Sequence, residues 1–546
     1  MTQQPGRMFT VYRENRPRVS VGGVVVSFVL LWLRAAGLVG QALALGGAAF
    51  ALVVLARARE PHVPHRLRST LAIAAAGAAL AAAAQAGILA TLARAFADDA
   101  GWPIGALLGS TVGLAGVARL VIALAVAGAA LALRQAPSAR GGWALLVAGA
   151  LLAASGALVG HATGREDFGW LLGVGALHQA AAGVWVGGLV CAAALTVRHD
   201  AQAGIGWLRP FSGLAAVAAG AIALTGIALA LEYVATPRVA IGTSYGAMVL
   251  AKITLFLALL AMGALNHLAL RSQRASAPAD AIVVRRRLEV EAGLALVTVF
   301  LAASIASAPP GVDAGVARAT PEEVRHVFTP RWPRLDTPTP AELVATSGLG
   351  DPDAPRSAAE IAWSEFGHNV SGLFIVAMGV LATLERTGRA QWARHWPLLL
   401  IGLAGFIAWS LDPEGWQTGV VGFWEQMRSP EVLQHRILLV LTSAFAIAEW
   451  RVRSGRRPNS VLRYLFPVAA IASGVFLISH SHEVSNAKSA FLMEVTHLPL
   501  GLVSLVAGWA RWLELRLPPA DGVGPGHIWG PAFCLFGLIL TFYREA

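Results

Sequence analysis

The chain is a succession of apolar runs, most of them about 20 residues or longer, separated by short loops in which arginine is concentrated. A helix rises about 1.5 Å per residue and a bilayer core is about 30 Å thick, so such runs are long enough to cross a membrane. In hydrocarbon the backbone must satisfy its own hydrogen bonds, and runs of this length do so as helices rather than as barrel strands. Composition agrees, with 56% hydrophobic and 13% charged residues against the roughly 25% charged residues of soluble domains. The sequence therefore predicts an all-α polytopic membrane protein.

About 14 transmembrane helices are predicted, near residues 28–56, 69–96, 103–133, 143–161, 170–197, 209–233, 244–270, 288–307, 366–384, 396–411, 435–450, 464–481, 489–513 and 527–543. They fall into an eight-span half, residues 1–308, and a six-span half, residues 364–546. Between them, residues 309–363 carry nine prolines from Pro309 to Pro355 and too few apolar side chains for a core, so they read as an extended extracytoplasmic linker. A net charge of +11 would raise nucleic acid as a partner in a soluble chain. Here the arginines sit in alternate loops, such as Arg57 to Arg68, Arg285 to Arg287 and Arg451 to Arg463. That is the pattern of cytoplasmic loops in a multi-pass membrane protein, with the bilayer as the partner. The arginines before the first span are the exception, because this register puts them outside. Cys191 and Cys534 lie far apart inside apolar runs and are not read as a disulfide. No phosphate-cradling Gly-rich loop with Lys-Ser/Thr occurs, which argues against ATP as the energy source.

In this register the membrane-proximal polar residues gather at one depth on the outer side. His161 closes the fourth span, His178 lies about two turns into the fifth, His368 opens the ninth and His435 opens the eleventh. Asp412 marks the outer end of the tenth, and His480 and His482 close the twelfth with Glu483 beside them. His497 follows about two turns into the thirteenth, with Met493 and Glu494 on its face at four and three residues' separation. On a helix His480 and Glu483 share a face while His480 and His482 diverge, so both histidines serve one ion only if the helix ends there. A single interfacial histidine is ordinarily hydrated or bonded to a backbone carbonyl. Several together near lipid are costly unless paired or used, which makes this group the candidate metal site. Imidazole with carboxylate or thioether favours copper, with zinc next. Haem is the alternative cofactor, for which His368, His435 and His497 could supply a facing pair. Arg119, Lys252 and Glu232 are in-membrane charges that could form an ion pair or a polar path.

The fifth to seventh spans carry a family resemblance. Leu177-His178-Gln179 running to Trp185-Val186-Gly187-Gly188-Leu189 resembles the histidine-to-Trp-x-Gly-Gly-Leu helix of the CopD copper-resistance membrane family. Phe211-Ser212, Thr225-Gly226, Thr243-Ser244-Tyr245-Gly246, Lys252 and Asn266 resemble its core in order and rough spacing, and Gly160-His161-Ala162 resembles the preceding helix end. The resemblance covers roughly residues 28–307. It implies a non-enzymatic inner-membrane protein that accepts copper at the periplasmic face and moves it into or across the membrane, often beside a soluble CopC-type copper carrier. His161 and His178 become copper contacts by this resemblance, and Trp185, Tyr245 and Lys252 motif positions. No CopC-like sandwich is fused, since residues 309–363 lack alternating strands. Two other functions fit the histidines alone: a membrane oxidoreductase holding haem or copper in the second half, and a copper-binding assembly factor that does not transport.

Overall fold

The structure, a computed structural model, describes residues 21–57, 63–100, 104–159, 165, 167–198, 205–271, 278–346, 356–410, 422–427, 430–456, 460–479 and 487–545. Among them there is no strand, and each predicted span contains a helix. The long helices are α1 (Val21–Ala49), α2 (Val63–Ala100), α3 (Thr111–Gln135), α4 (Ala139–Ser155), α5 (Phe168–Arg198), α6 (Arg209–Tyr233) and α7 (Ser244–Arg271). They continue with α8 (Pro278–Ile305), α9 (Ala358–Arg386), α10 (Leu399–Ser410), α11 (Pro430–Arg453), α12 (Leu465–Ser479), α13 (Ala487–Arg516) and α14 (Pro519–Thr541). Eleven of the described helices are long and apolar enough to cross a membrane. α4, α10 and α11, at the fourth, tenth and eleventh predicted spans, are not among the eleven. Wide apolar faces remain on the outside of the bundle, for example Val217, Leu224, Ile227 and Leu231 on α6. These are the faces that lipid covers.

α1 lies at the centre of the first eight helices, against α2, α4, α5 and α8. Small residues let it approach its neighbours, since a Cβ built on Gly187 of α5 would lie 1.9 Å from the Ala42 carbonyl oxygen. Without a hydrophobic drive between helices in lipid, such backbone-to-backbone packing is a main source of association. The same device joins α9 to α14, where a Cβ on Gly372 would lie 2.3 Å from the Thr541 amide nitrogen and one on Gly537 2.4 Å from that of Val376. α12, α13 and α14 pack in succession, α13 running antiparallel to both neighbours.

The two sets of helices meet where α7 and α8 pack on α12 and α13. The Trp509 ring fills the space over Gly293, and Glu289 accepts from Trp512 Nε1 (3.0 Å) and Arg516 Nη2 (2.8 Å). Residues 309–346 run over one end of this seam. They include a helix, Pro321–Phe328, closed by a Thr320–Glu323 capping box. Its Val327 packs with Phe491 and Val495 of α13, and Glu323 pairs with Lys488 at 2.7 Å.

Candidate metal site

Three histidines occupy the same position in their helices. His178, His368 and His497 are each ten residues past the first residue of α5, α9 and α13, at Phe168, Ala358 and Ala487, a rise of roughly 15 Å. α9 begins at a second capping box, with Ser357 and Glu360 bonding each other's backbone amides, so the register of His368 is set from its start.

In the second half two of these rings come together. The His368 and His497 ring centroids are 6.0 Å apart in an edge-to-face arrangement, and His497 is buried. His368 Nδ1 lies 2.8 Å from the Ser364 carbonyl oxygen and His497 Nδ1 2.7 Å from that of Met493. A carbonyl only accepts, so each Nδ1 carries its hydrogen and the neutral ring's lone pair is on Nε2. Tying one ring nitrogen to a main-chain carbonyl fixes tautomer and orientation, and histidines that ligate metals are commonly held this way. Met493 shares the face of His497, one turn away.

Tyr543, just past α14, stacks on His368 at 4.3 Å and lies edge-on to His497 at 6.1 Å. Its hydroxyl donates to Glu545 Oε2 (3.2 Å), and the same carboxylate accepts from Ser364 Oγ and from Arg356 Nη1 (2.7 Å). Arg356 also contacts the Met493 sulfur at 3.3 Å. Burial alone would raise the Glu545 carboxyl; Arg356, His368 and the Ser364 hydroxyl outweigh it and hold the group below its ordinary 4.5. The cation that keeps this carboxylate ionised is Arg356, 2.7 Å away. Asn369 donates to the Leu540 and Tyr543 carbonyls (3.2 and 3.1 Å) and so ties the end of α14 to α9.

Glu494, predicted as a neighbour of this group, accepts instead from Ser244 of α7 at 2.8 Å and spans the seam. His480, His482, Glu483, Asp412 and His161 lie outside the described residues, as does the side chain of His435, which is on α11. Among the described residues no group of three or more His, Cys, Asp or Glu could hold a metal ion. The two imidazoles are thus a partial donor set of the borderline kind that copper accepts, and the Met493 thioether joins it only if the Arg356 guanidinium, 3.3 Å from the sulfur, moves away.

The histidine of the first half has different company. Thr225 Oγ1 donates to the Ala221 carbonyl (2.6 Å), so it accepts from His178 Nδ1 at 2.9 Å. The His178 lone pair is then on Nε2, and Lys252 Nζ of α7 lies 3.4 Å from it. An ammonium at that distance holds the coordinating nitrogen, so a metal ion reaches His178 only if Lys252 swings away. Lys252, which the sequence reading offered as a partner of Glu232, contacts an imidazole instead. Glu232 pairs with Arg165 at 3.5 Å. Arg119 is held by neutral groups, Gln41 Oε1 (3.2 Å), Gln85 Oε1 (3.3 Å) and Ser155 Oγ (3.1 Å).

The model of the family CopD, copper resistance protein D, matches residues 205–305. Over these residues the chain is CopD-like. The match takes in Phe211-Ser212, Thr225-Gly226, Thr243 to Gly246, Lys252 and Asn266, so most of the motif series read from the sequence lies within the CopD-like segment. Both partners of His178, Thr225 and Lys252, come from it. Searches of curated proteins and of solved structures find no match to the chain.

Four polar residues around the paired histidines were not singled out from the sequence: Arg356, Ser364, Tyr543 and Glu545. The only signal was weak, an acidic residue after a tyrosine at the end of the last span. The CopD-like segment also holds a buried pair missed in the sequence, with Asn266 Nδ2 donating to Glu291 Oε2 at 2.8 Å between α7 and α8.

Proposed function

We propose that this chain is a copper-handling protein of the bacterial inner membrane that accepts copper at its periplasmic face and moves it into or across the membrane. The observation that carries the reading is the His368–His497 pair, with both Nδ1 atoms committed to carbonyls and Met493 one turn away, in a chain whose first half contains a CopD-like segment. In this reading copper is cargo. His480, His482 and Glu483, which in sequence connect Ser479 to Ala487, receive the ion together with Asp412, His435 and His161, and His368 and His497 take it next by ligand exchange. A soluble carrier of the CopC type is a fitting donor at that face. The reading assigns no chemical transformation to the chain.

The test is elemental analysis and the visible spectrum of the full chain purified in detergent, followed by copper flux into liposomes. The expected result is about one or two equivalents of copper, no haem band, and copper-dependent flux. Bound haem, or iron without copper, overturns the reading in favour of an electron-transferring membrane protein. Copper binding with no flux reduces it to a copper-holding or assembly role.

A further inference from the structure

At the end of the second half opposite the paired histidines, α9, α11, α13 and α14 surround an open cavity of about 540 Å³. It is lined by Arg386, Arg453, Arg463, Arg511, Glu385 and Glu514, with Trp529 at its wall. Most of these charges are already in pairs. Arg386 and Arg511 share Glu514, and Arg453 bonds Glu385 and, at 2.7 Å, the fully buried Glu449. Four guanidinium groups therefore face three carboxylates, which leaves one positive charge uncompensated. Arg463 is the odd cation. Its partner among the described residues is Tyr464, with Nη2 donating to the hydroxyl at 3.1 Å and the guanidinium over the ring at 5.0 Å.

Two further observations suggest that the cavity takes an anion. Arg453 has only 7% of its side chain exposed, yet its Nη2 has no hydrogen-bond partner among the described residues. The Nε atoms of Arg386, Arg463 and Arg511 are in the same condition. Buried donors left unsatisfied are costly; Glu449 Oε2, behind Arg453, is likewise without a partner among the described residues, and an acceptor within reach of the guanidinium groups that line the cavity would satisfy the rest. The wall is also shaped for its arginines. Gly526 of α14 has room for Arg386 only because it lacks a side chain, since a Cβ there would lie 2.1 Å from the Arg386 Cζ. Trp529 lies under Arg453 at 5.1 Å and under Arg511 at 5.3 Å, which holds both guanidinium planes in place.

We propose that this cavity binds a phosphate-bearing anion, either the headgroup of an acidic phospholipid or a soluble phosphate. Planar guanidinium forks match phosphate oxygens, and basic pockets between transmembrane helices at the cytoplasmic side are suited to anionic headgroups. The arginine-rich loops put this end of the bundle at the cytoplasmic side. The proposal does not depend on copper, because no residue is shared with the histidine site.

The test uses the full chain in nanodiscs or detergent. Native mass spectrometry counts retained phosphatidylglycerol against phosphatidylcholine, and tryptophan fluorescence follows titration with inorganic phosphate. Saturable retention of phosphatidylglycerol over phosphatidylcholine, weakened about five-fold in Arg463→Gln and restored in Arg463→Lys, is the result expected of a headgroup site. That loss corresponds to the ~1 kcal/mol typical of one basic residue near an anionic surface. A saturable fluorescence change with inorganic phosphate, lost in Arg463→Gln, identifies a soluble ligand and equally supports the site. Equal retention of both lipids with no response to phosphate overturns the proposal. So does unchanged binding in a folded Arg463→Gln protein. The lipid comparison on the unaltered chain decides the matter should the variant fail to fold.

Discussion

His178 and the His368–His497 pair sit at the same height in their helices and share the same tautomer, yet their surroundings oppose each other. In all three rings Nδ1 donates and Nε2 holds the lone pair. In the first half a lysine ammonium covers that lone pair. In the second half the rings face each other, and the nearby Glu545 carboxylate and Met493 thioether are both held by Arg356. Depth alone therefore does not make a histidine a ligand. What differs is the immediate company of the ring: an ammonium 3.4 Å from Nε2 in the first case, a second imidazole and a tyrosine ring in the other. Accordingly, His368→Ala with His497→Ala is expected to weaken copper binding by at least about 100-fold, since losing a ligand costs more than the 10–100-fold of losing a ligand's hydrogen-bond partner. Isothermal titration of copper into the purified double variant checks this. An affinity equal to that of the unaltered chain would remove these residues from the metal site.

The second-half site can also be broken without touching a donor atom. Gly372→Val places methyl groups where the Thr541 backbone now lies, so α14 must move away from α9 and carry Tyr543 off the His368 ring. The expected cost is about 1–3 kcal/mol of stability from overpacking, together with weaker copper binding. Gly405→Ala, where nothing lies within 4 Å of the added Cβ, is the control: it leaves copper binding unchanged and, because alanine favours a helix over glycine, does not lower stability. Thermal unfolding followed by tryptophan fluorescence separates the two variants.

Much of this architecture was legible because a membrane helix is a local statement: about 20 apolar residues in a row say so without reference to partners. The positions of His178, His368 and His497 were legible for the same reason. Their partners were not. Tyr543 and Glu545 reach His368 only because Gly372, Gly537 and Thr541 let two backbones, some 170 residues apart in sequence, touch. Small residues announce a close approach but not which helix comes. Lys252 and His178 were both visible as polar residues in apolar runs, and their contact depends on α5 and α7 flanking α6, which no periodicity records. Glu494 accepts from Ser244 across the seam, a partner that helical spacing does not name. Helical spacing gives the face a residue starts from, and a flexible side chain chooses the rest.

If the ammonium is what separates the two halves, removing it should make them more alike. Lys252→Met is expected to raise bound copper by about one equivalent, because a neutral imidazole Nε2 is then open to a metal that prefers nitrogen and thioether donors. His178→Ala should leave the copper content of the unaltered chain as it was and reverse the gain in the Lys252→Met background. Elemental analysis of the three proteins reads this directly. Unchanged copper in Lys252→Met would show that something other than the lysine keeps metal from His178, and the comparison would lose its cause.

A weaker contrast comes from the segment that crosses the seam. Glu323, in the segment that crosses the seam, takes a hydrogen bond from Lys488 near the start of α13, and the Thr320 backbone amide donates to it as well. The Lys488 bond first, and the Thr320 amide next, hold its carboxyl below the ordinary 4.5. A carboxyl whose folded-state value is depressed contributes stability that is complete above its unfolded value and is lost as pH falls through the folded one. Acidification below about pH 4.5 should therefore loosen the segment over α13. The pair is largely exposed, so it contributes at most ~1 kcal/mol. Glu323→Gln should lower the melting temperature by no more than about 2–4 °C at pH 7 and flatten its decline in acid. Hydrogen exchange at the amides of residues 322–328 locates the change. A variant whose acid profile overlays that of the unaltered chain would place the acid-sensitive group elsewhere, with Glu545 beside His368 the next to substitute.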